Sequence, residues 1–363
     1  MKAINLRQVV KLFDPQSPLT GNELNLWFVQ RPQSPRDYMR VALQNAQDAQ
    51  DPIRMLLVGH RGSGKSTELN KLVTELDNEY AAVPFNVVEL TGRSAIHYQD
   101  LMLVLGTQLI RYCIDAQLIN RPLADPLREG WQTVADWWQR LVAGLPMYPQ
   151  GDVSTYVKLG TLLGEIEVGA RESAYTRDMI LEQVDRRMPE LIEHVNWAIG
   201  EAQKQLNPRR LLLVIEGLDK IDLEPAREIF RDHTQTITAL HCTTIFTFPL
   251  ALRYSDDYNT VQRHFHPGRQ LHNLSLNKPN GEQDGEGRAC LRHIILNRME
   301  RSLIGDAALD VVIQGSGGIV VDLIRLVNSA ATYAQVRDSA ATQIELADVQ
   351  LAIRDRQRDW PLP

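Results

Sequence analysis

Cysteine is scarce in this chain of 363 residues, and Cys113, Cys242 and Cys290 stand far apart with no C-x-x-C spacing. That pattern excludes a disulfide framework and a cysteine-based zinc site, and predicts buried thiols in a reducing compartment. Long apolar runs are missing too. Nothing approaches the roughly 18 consecutive apolar residues that a membrane-spanning helix needs, so no membrane partner is expected. The first residues set Lys2, Arg7 and Lys11 among apolar positions, which is not the layout of a secretory signal, and a cytoplasmic location is the expectation. An excess of positive charge is absent as well: 39 Lys and Arg stand against 45 Asp and Glu, a net charge of −6. Nucleic acid as a partner is therefore not indicated by charge. Internal repeats and low-complexity tracts are not found. What remains is an ordinary globular composition, 44% hydrophobic and 23% charged, in a chain long enough for two domains.

Against that plain background one run stands out. Gly59-His60-Arg61-Gly62-Ser63-Gly64-Lys65-Ser66-Thr67 fits G-x-x-x-x-G-K-[ST], the phosphate-binding loop, or P-loop. Its surroundings fit as well. Arg54 to Val58 is a short apolar run that reads as a buried strand, and Leu69, Leu72, Val73 and Leu76 follow at helical spacing. Strand, glycine loop and helix are what the chemistry requires. The glycines let successive N–H groups turn inward around a phosphate. The helix opening near Lys65 adds its own unpaired N–H groups and the positive end of its dipole. Lys65 would reach the β- and γ-phosphates of ATP, and the Ser66 hydroxyl would ligate Mg²⁺. His60 and Arg61 lie within the loop and are counted with the nucleotide-binding residues.

The rest of the chain reads as alternating strands and helices. Leu6, Val9, Val10 and Phe13 form a short amphipathic helix ahead of Pro15, and a second helix is expected over 36–49. Arg31 lies in the segment ahead of the first strand, where a contact with adenine is expected. After the P-loop helix, Val83 to Leu90 reads as a second strand and Gln99 to Ile119 as a helix. From about residue 121 to 208 the pattern changes. Trp131, Trp137 and Trp138 cluster, Pro146 and Pro149 interrupt, Tyr156 to Val168 carries glycines, and one long helix is expected over 176–206. This stretch reads as a helical insertion. No basic run interleaves with the tryptophans, so they are expected to pack a core and not to stack on bases.

Leu211-Leu212-Leu213-Val214-Ile215 is continuously apolar, as a strand covered on both faces of a parallel sheet must be. It delivers Glu216-Gly217-Leu218-Asp219 to its C-terminal end, where α/β sheets bind ligands. Glu216 stands where a Mg²⁺-supporting carboxylate is needed, and Asp219 can turn toward the same pocket. Thr243 to Phe248 reads as a fourth strand and Gln270 to Leu276 as a fifth. A polar, glycine-rich linker over 277–287 leads to an all-helical remainder. Its last helix follows Thr342-Gln343-Ile344-Glu345, which fits a capping box. His264, His266 and His272 lack helical metal spacing.

The P-loop, the strand ending in Glu216 and Asp219, and the helical tail together resemble the AAA+ and STAND ATPases of the P-loop NTPase superfamily. An acid, a small residue and a second acid three positions after the first are similar to the NACHT type and to bacterial ATPases of conflict and antiviral systems. The resemblance covers about residues 50–120 and 205–355. It implies an α/β fold: a P-loop NTPase core on a parallel sheet of order 5-1-4-3-2, with the helical insertion and a C-terminal helical lid. The implied domains are a helical lead-in over 1–50, the core over 51–278 with its insertion at 121–208, and the lid over 279–363. Thr247 falls at the tip of the strand resembling sensor 1. Arg263 falls where the family places an arginine finger toward a neighbouring subunit. Ser316-Gly317-Gly318 resembles the lid entry, but the residue at the sensor-2 register is Val321 instead of arginine, with Arg325 one turn later. Many relatives end the third strand in Asp-Glu; here Glu216 is followed by Gly217, so slow, switch-like hydrolysis is expected. A homo-oligomer or an adjacent effector protein is the implied partner. Two rivals are an ATP-dependent DNA-binding regulator, weakened because the chain ends soon after Arg358-Asp359-Trp360, and a nucleotide-dependent scaffold that does not hydrolyse.

Overall fold

The computed structural model describes residues 1–92, 95–118, 125–141 and 174–358. The glycine-bearing stretch at 156–168, Pro146, Pro149 and the final Asp359-Trp360 lie outside the described residues. The chain divides into two compact units: Val41–Val58 with Leu76–Arg269, and Met1–Arg40 with Gly59–Glu75 and Gln270–Pro363.

The first of these units is built on a five-stranded parallel sheet, β1 (Arg54–Gly59), β2 (Tyr80–Asn86), β3 (Arg210–Glu216), β4 (Thr243–Phe248) and β5 (His266–Leu271), in the order β2-β3-β4-β1-β5. This is the expected order 5-1-4-3-2 read from the other edge. β4 is buried along its whole length, and β3 everywhere but its two ends. Their apolar runs are thus the signature of the sheet's centre. In register, Leu57 lies beside Thr247, Ile215 beside Phe246, and Asn86 beside Glu216. Because these strands run parallel, β1, β3 and β4 all end on one edge of the sheet.

Two strands differ from expectation. The second strand runs Tyr80–Asn86, not 83–90, because Asn86 caps a short helix, Val87–Thr91, by accepting the Glu89 N–H. That cap overrides the strand preference of Val87 and Val88. The fifth strand runs His266–Leu271, not 270–276, and so contains Pro267 and Gly268. Both read as strand breakers, yet an edge strand tolerates them because one side of its backbone needs no partner.

The helix expected over 99–119 runs Tyr98–Asp115, and three more, Asp125–Leu141, Ala174–Arg186 and Met188–Leu206, form the described part of the insertion region. The last two replace the single helix expected over 176–206. Arg187 takes a non-helical conformation, and Pro189 starts the next helix, where its missing N–H costs nothing. Trp131, Trp137 and Trp138 are fully buried, as expected of core residues. Trp131 meets Trp197 edge-on at 5.1 Å, Trp137 donates from Nε1 to Glu190 at 2.8 Å, and Trp138 lies over Gly106.

The second unit is helical around its own apolar core. The helix Leu6–Leu12 packs on Val320–Arg337, with Leu6, Val9, Phe13, Leu323 and Val327 in one cluster. Asn328 fixes that contact by donating to the carbonyls of Val10 (2.7 Å) and Phe13 (2.9 Å). The last helix, Leu346–Arg358, is capped differently from expectation. The reaching side chain is that of buried Asp348, which accepts the Glu345 N–H at 2.8 Å and binds Arg337 with both oxygens. The box sits three residues later because Asp348 is buried and needs both the Glu345 N–H and Arg337, whereas Glu345 pairs with Arg337 at the surface, at 3.2 Å.

Candidate functional site

The P-loop leaves β1 at Gly59 and ends where the helix Lys65–Glu75 begins. Gly62 (φ +82°) and Gly64 (φ +98°) both occupy the left-handed region. A side chain there would be strained, which is why the motif demands glycine. The Ser63 N–H closes the turn onto His60 O at 3.1 Å. Lys65 is buried, and its ammonium donates to the carbonyls of Gly59 and His60, both at 2.9 Å. His60 and Arg61 are exposed, and Ser66 and Thr67 are half-buried. The Thr67 hydroxyl accepts the Leu19 N–H at 3.3 Å, so it helps to dock the N-terminal segment. Ser63 Oγ is buried with no hydrogen-bond partner, an arrangement that costs free energy unless something polar arrives.

Two neighbours of the loop were not legible from the motif. The Val321 N–H donates to Gly62 O at 3.0 Å, and a Cβ on Gly62 would lie 2.1 Å from Val321 Cγ1. Val321 is thus in direct contact with the loop backbone. On the first turn of the helix, Glu68 is buried among Arg36 (3.2 Å), Arg31 (3.6 Å) and the Ser34 hydroxyl (3.0 Å). Burial pushes the Glu68 carboxyl above its usual range, against the pull of the two arginines.

No protein-family model matches this sequence, and no curated protein matches it. Solved structures are similar at low identity. A structure of Drosophila ORC bound to DNA aligns with 98% of this chain, at 11% identity and a TM-score of 0.47, and the chain spans 66% of that one. Cdc6p from Pyrobaculum aerophilum aligns over 95% of this chain and 70% of its own, at 13% identity and a TM-score of 0.49. A Walker-type ATPase of Pyrococcus abyssi aligns over 96% and 76%, at 12% identity and a TM-score of 0.42. No residue role passes from them to this chain.

The remaining predicted residues belong to the sheet unit. Glu216 ends β3 half-buried, and Asp219 lies in the short turn Leu218–Lys220. Gly217 between them has φ +91°, and a Cβ there would stand 2.2 Å from Asn86 Oδ1. An acid at this position would be strained by the backbone angle and would have to displace the Asn86 side chain. Thr247 is buried, and its hydroxyl donates to Ile215 O at 3.4 Å. Arg263 is exposed on the turn Gln262–His264. Among the described residues no group of three or more His, Cys, Asp or Glu is placed to hold a metal ion. Mg²⁺ in a P-loop site asks for less, because one or two protein ligands, phosphate oxygens and water complete its octahedron. Among the described residues no helix is long and apolar enough to cross a membrane.

Proposed function

We propose that the chain binds Mg·ATP and is an ATPase of the AAA+ type that turns over slowly, as a conformational or assembly switch. One observation carries the reading: Gly62 and Gly64 are in the left-handed region immediately before a helix that opens at Lys65, after the β1 strand of a 5-1-4-3-2 parallel sheet. That backbone turns N–H groups toward an anion, and the orphaned Ser63 hydroxyl adds a polar group in want of a partner.

In this reading Lys65 would neutralise the β- and γ-phosphates, and Ser66 and Glu216 would hold Mg²⁺. The metal, when bound, would offset the charge developing on the transferred phosphoryl group. Asp219 would orient the attacking water. Gly217, at a φ of +91° where a side chain would be strained, supports slow turnover, since no second acid stands directly beside Glu216. Arg263, exposed on its turn, would reach a neighbouring subunit, so the partner is a second copy of the chain or an adjacent effector. A setting in defence or signalling follows from the sequence resemblance alone. The crowded Gly217 and the valine at 321 also favour a second reading, a nucleotide-dependent scaffold without turnover.

Phosphate release and ATP binding, measured on wild type, Lys65→Ala and Asp219→Ala, separate the two. The ATPase reading expects wild-type release that both substitutions abolish, with binding lost only in Lys65→Ala. Binding without release in wild type would leave the scaffold. No ATP binding by wild type would end both readings.

A further inference from the structure

We propose that Arg31 is a second phosphate-binding cation of the nucleotide site, held in reserve against the P-loop by Glu68. This rests on the nucleotide reading above and adds to it a residue outside the motif. Arg31 lies in the extended segment between the helices Asn22–Trp27 and Pro35–Ala49, and only 8% of it is exposed. Its Nη1 is buried with no hydrogen-bond partner. Its ion pair with Glu68 is loose, 3.6 Å from Nε to Oε1, beyond hydrogen-bond length. A guanidinium taken out of water with donors unmet is costly, and burial already works against its charge. Such a group persists where an anion completes it.

The position says which anion. Nη2 stands 2.6 Å from where a Cβ of Gly64 would be, so the guanidinium lies directly against the loop backbone, one residue before Lys65. Nη1 and Nη2 together form one edge of the planar fork that binds phosphate oxygens in pairs. Arg36, close by, is differently placed. It is ion-paired to Glu68 at 3.2 Å and to Glu75 at 3.3 Å, and it lies over the Phe28 ring at 4.8 Å. Arg36 is the brace. When Arg31 turns to a phosphate, Glu68 keeps Arg36 and the Ser34 hydroxyl at 3.0 Å, so its carboxylate is not stranded. Arg31 is therefore free to exchange partners where Arg36 is not.

The test measures binding of Mg·ATP, Mg·ADP and pyrophosphate to the full chain, as wild type, Arg31→Ala and Arg31→Lys, beside the melting temperature of each free protein. Pyrophosphate carries no base or ribose, so it isolates the phosphate contact. Arg31→Ala is expected to weaken all three by roughly 10- to 100-fold, the range of a lost charge-assisted contact, with the free protein melting no lower than wild type. Arg31→Lys, which keeps the charge and loses the fork, is expected to fall between. Wild type binding none of the three would overturn the nucleotide reading itself. Wild-type binding with both variants within twofold of it would overturn only the role of Arg31. Loss of ATP affinity with pyrophosphate unchanged would move Arg31 to the base or ribose and also overturn the proposal. Failure of both variants to fold would make Arg31 a brace like Arg36, and the proposal would fall with it.

Discussion

The backbone N–H of Val321 donates to the carbonyl oxygen of Gly62 at 3.0 Å. A residue at the start of the Val320–Arg337 helix therefore reads the path of the phosphate loop directly, through its main chain and methyl groups. Val321 thus couples the helix to the loop without any charged group. Arg325, one turn on, is exposed and paired with Asp322 at 3.4 Å.

Gly62→Ala tests that contact. The new Cβ would lie 2.1 Å from Val321 Cγ1 and sit at a φ of +82°, at a cost on the order of 1–3 kcal/mol. Val321→Ala in the same chain should relieve the methyl clash and leave the backbone strain. Urea unfolding of the two singles and the double is expected to show a coupling of about 1 kcal/mol. Strict additivity would mean that the contact is not made in solution.

Ser63→Ala removes a buried hydroxyl that has no partner. The free protein should be as stable as wild type, or more stable by up to about 1 kcal/mol, since no hydrogen bond is lost. Pyrophosphate affinity, measured by calorimetry, should fall. A clear loss of stability without ligand would show that the hydroxyl is already satisfied.

The two-sided burial of β3 and β4 made the sheet's centre legible, because Leu211 to Ile215 has no polar alternation and only a central parallel strand accepts that. The P-loop was legible because its glycines encode backbone angles no other residue holds comfortably. β5 was not. Only its last residue is fully buried, and an edge strand carries no such pattern. The companions of the loop were equally hidden. Arg31, Arg36 and Glu68 are distant in sequence and ordinary in composition, and only the fold shows that one arginine is well paired and the other poorly. Gly217 was visible as a departure from Asp-Glu, but its left-handed φ of +91° and the nearness of Asn86 Oδ1 were not.

Trp138→Ala should destabilise the chain by about 3–5 kcal/mol, the cost of emptying a large core site. Trp138 is fully buried, and the helix Tyr98–Asp115 presents Gly106 to it with space for no side chain. Equilibrium denaturation would measure the loss. An effect below about 1 kcal/mol would place the tryptophan at the surface in solution.

His194 gives the pH prediction. Burial lowers its pKa below the ordinary 6.5, against the opposing pull of Glu193 and Glu190, while Arg140 adds to the lowering. The unfolded chain therefore binds more protons than the folded one near that pH, and stability falls as the pH drops through 6.5 toward the folded value. Melting temperatures taken from pH 7.5 down to about 5.5 should decline, and His194→Gln should flatten that slope. An unchanged slope in the variant would assign the acid sensitivity to other groups.

The closeness of Asn86 Oδ1 to Gly217 bears on how this chain could change over time. A descendant with a second acid after Glu216 must hold a side chain at a φ of +91° and displace Asn86 Oδ1, which lies 2.2 Å from where the Cβ would stand. Losing Asn86 first removes the cap of the Val87–Thr91 helix and offers nothing in return. The two positions are coupled through that contact. The glycine is in that sense held in place by its own backbone and by a neighbouring side chain together, whatever chemistry Glu216 serves.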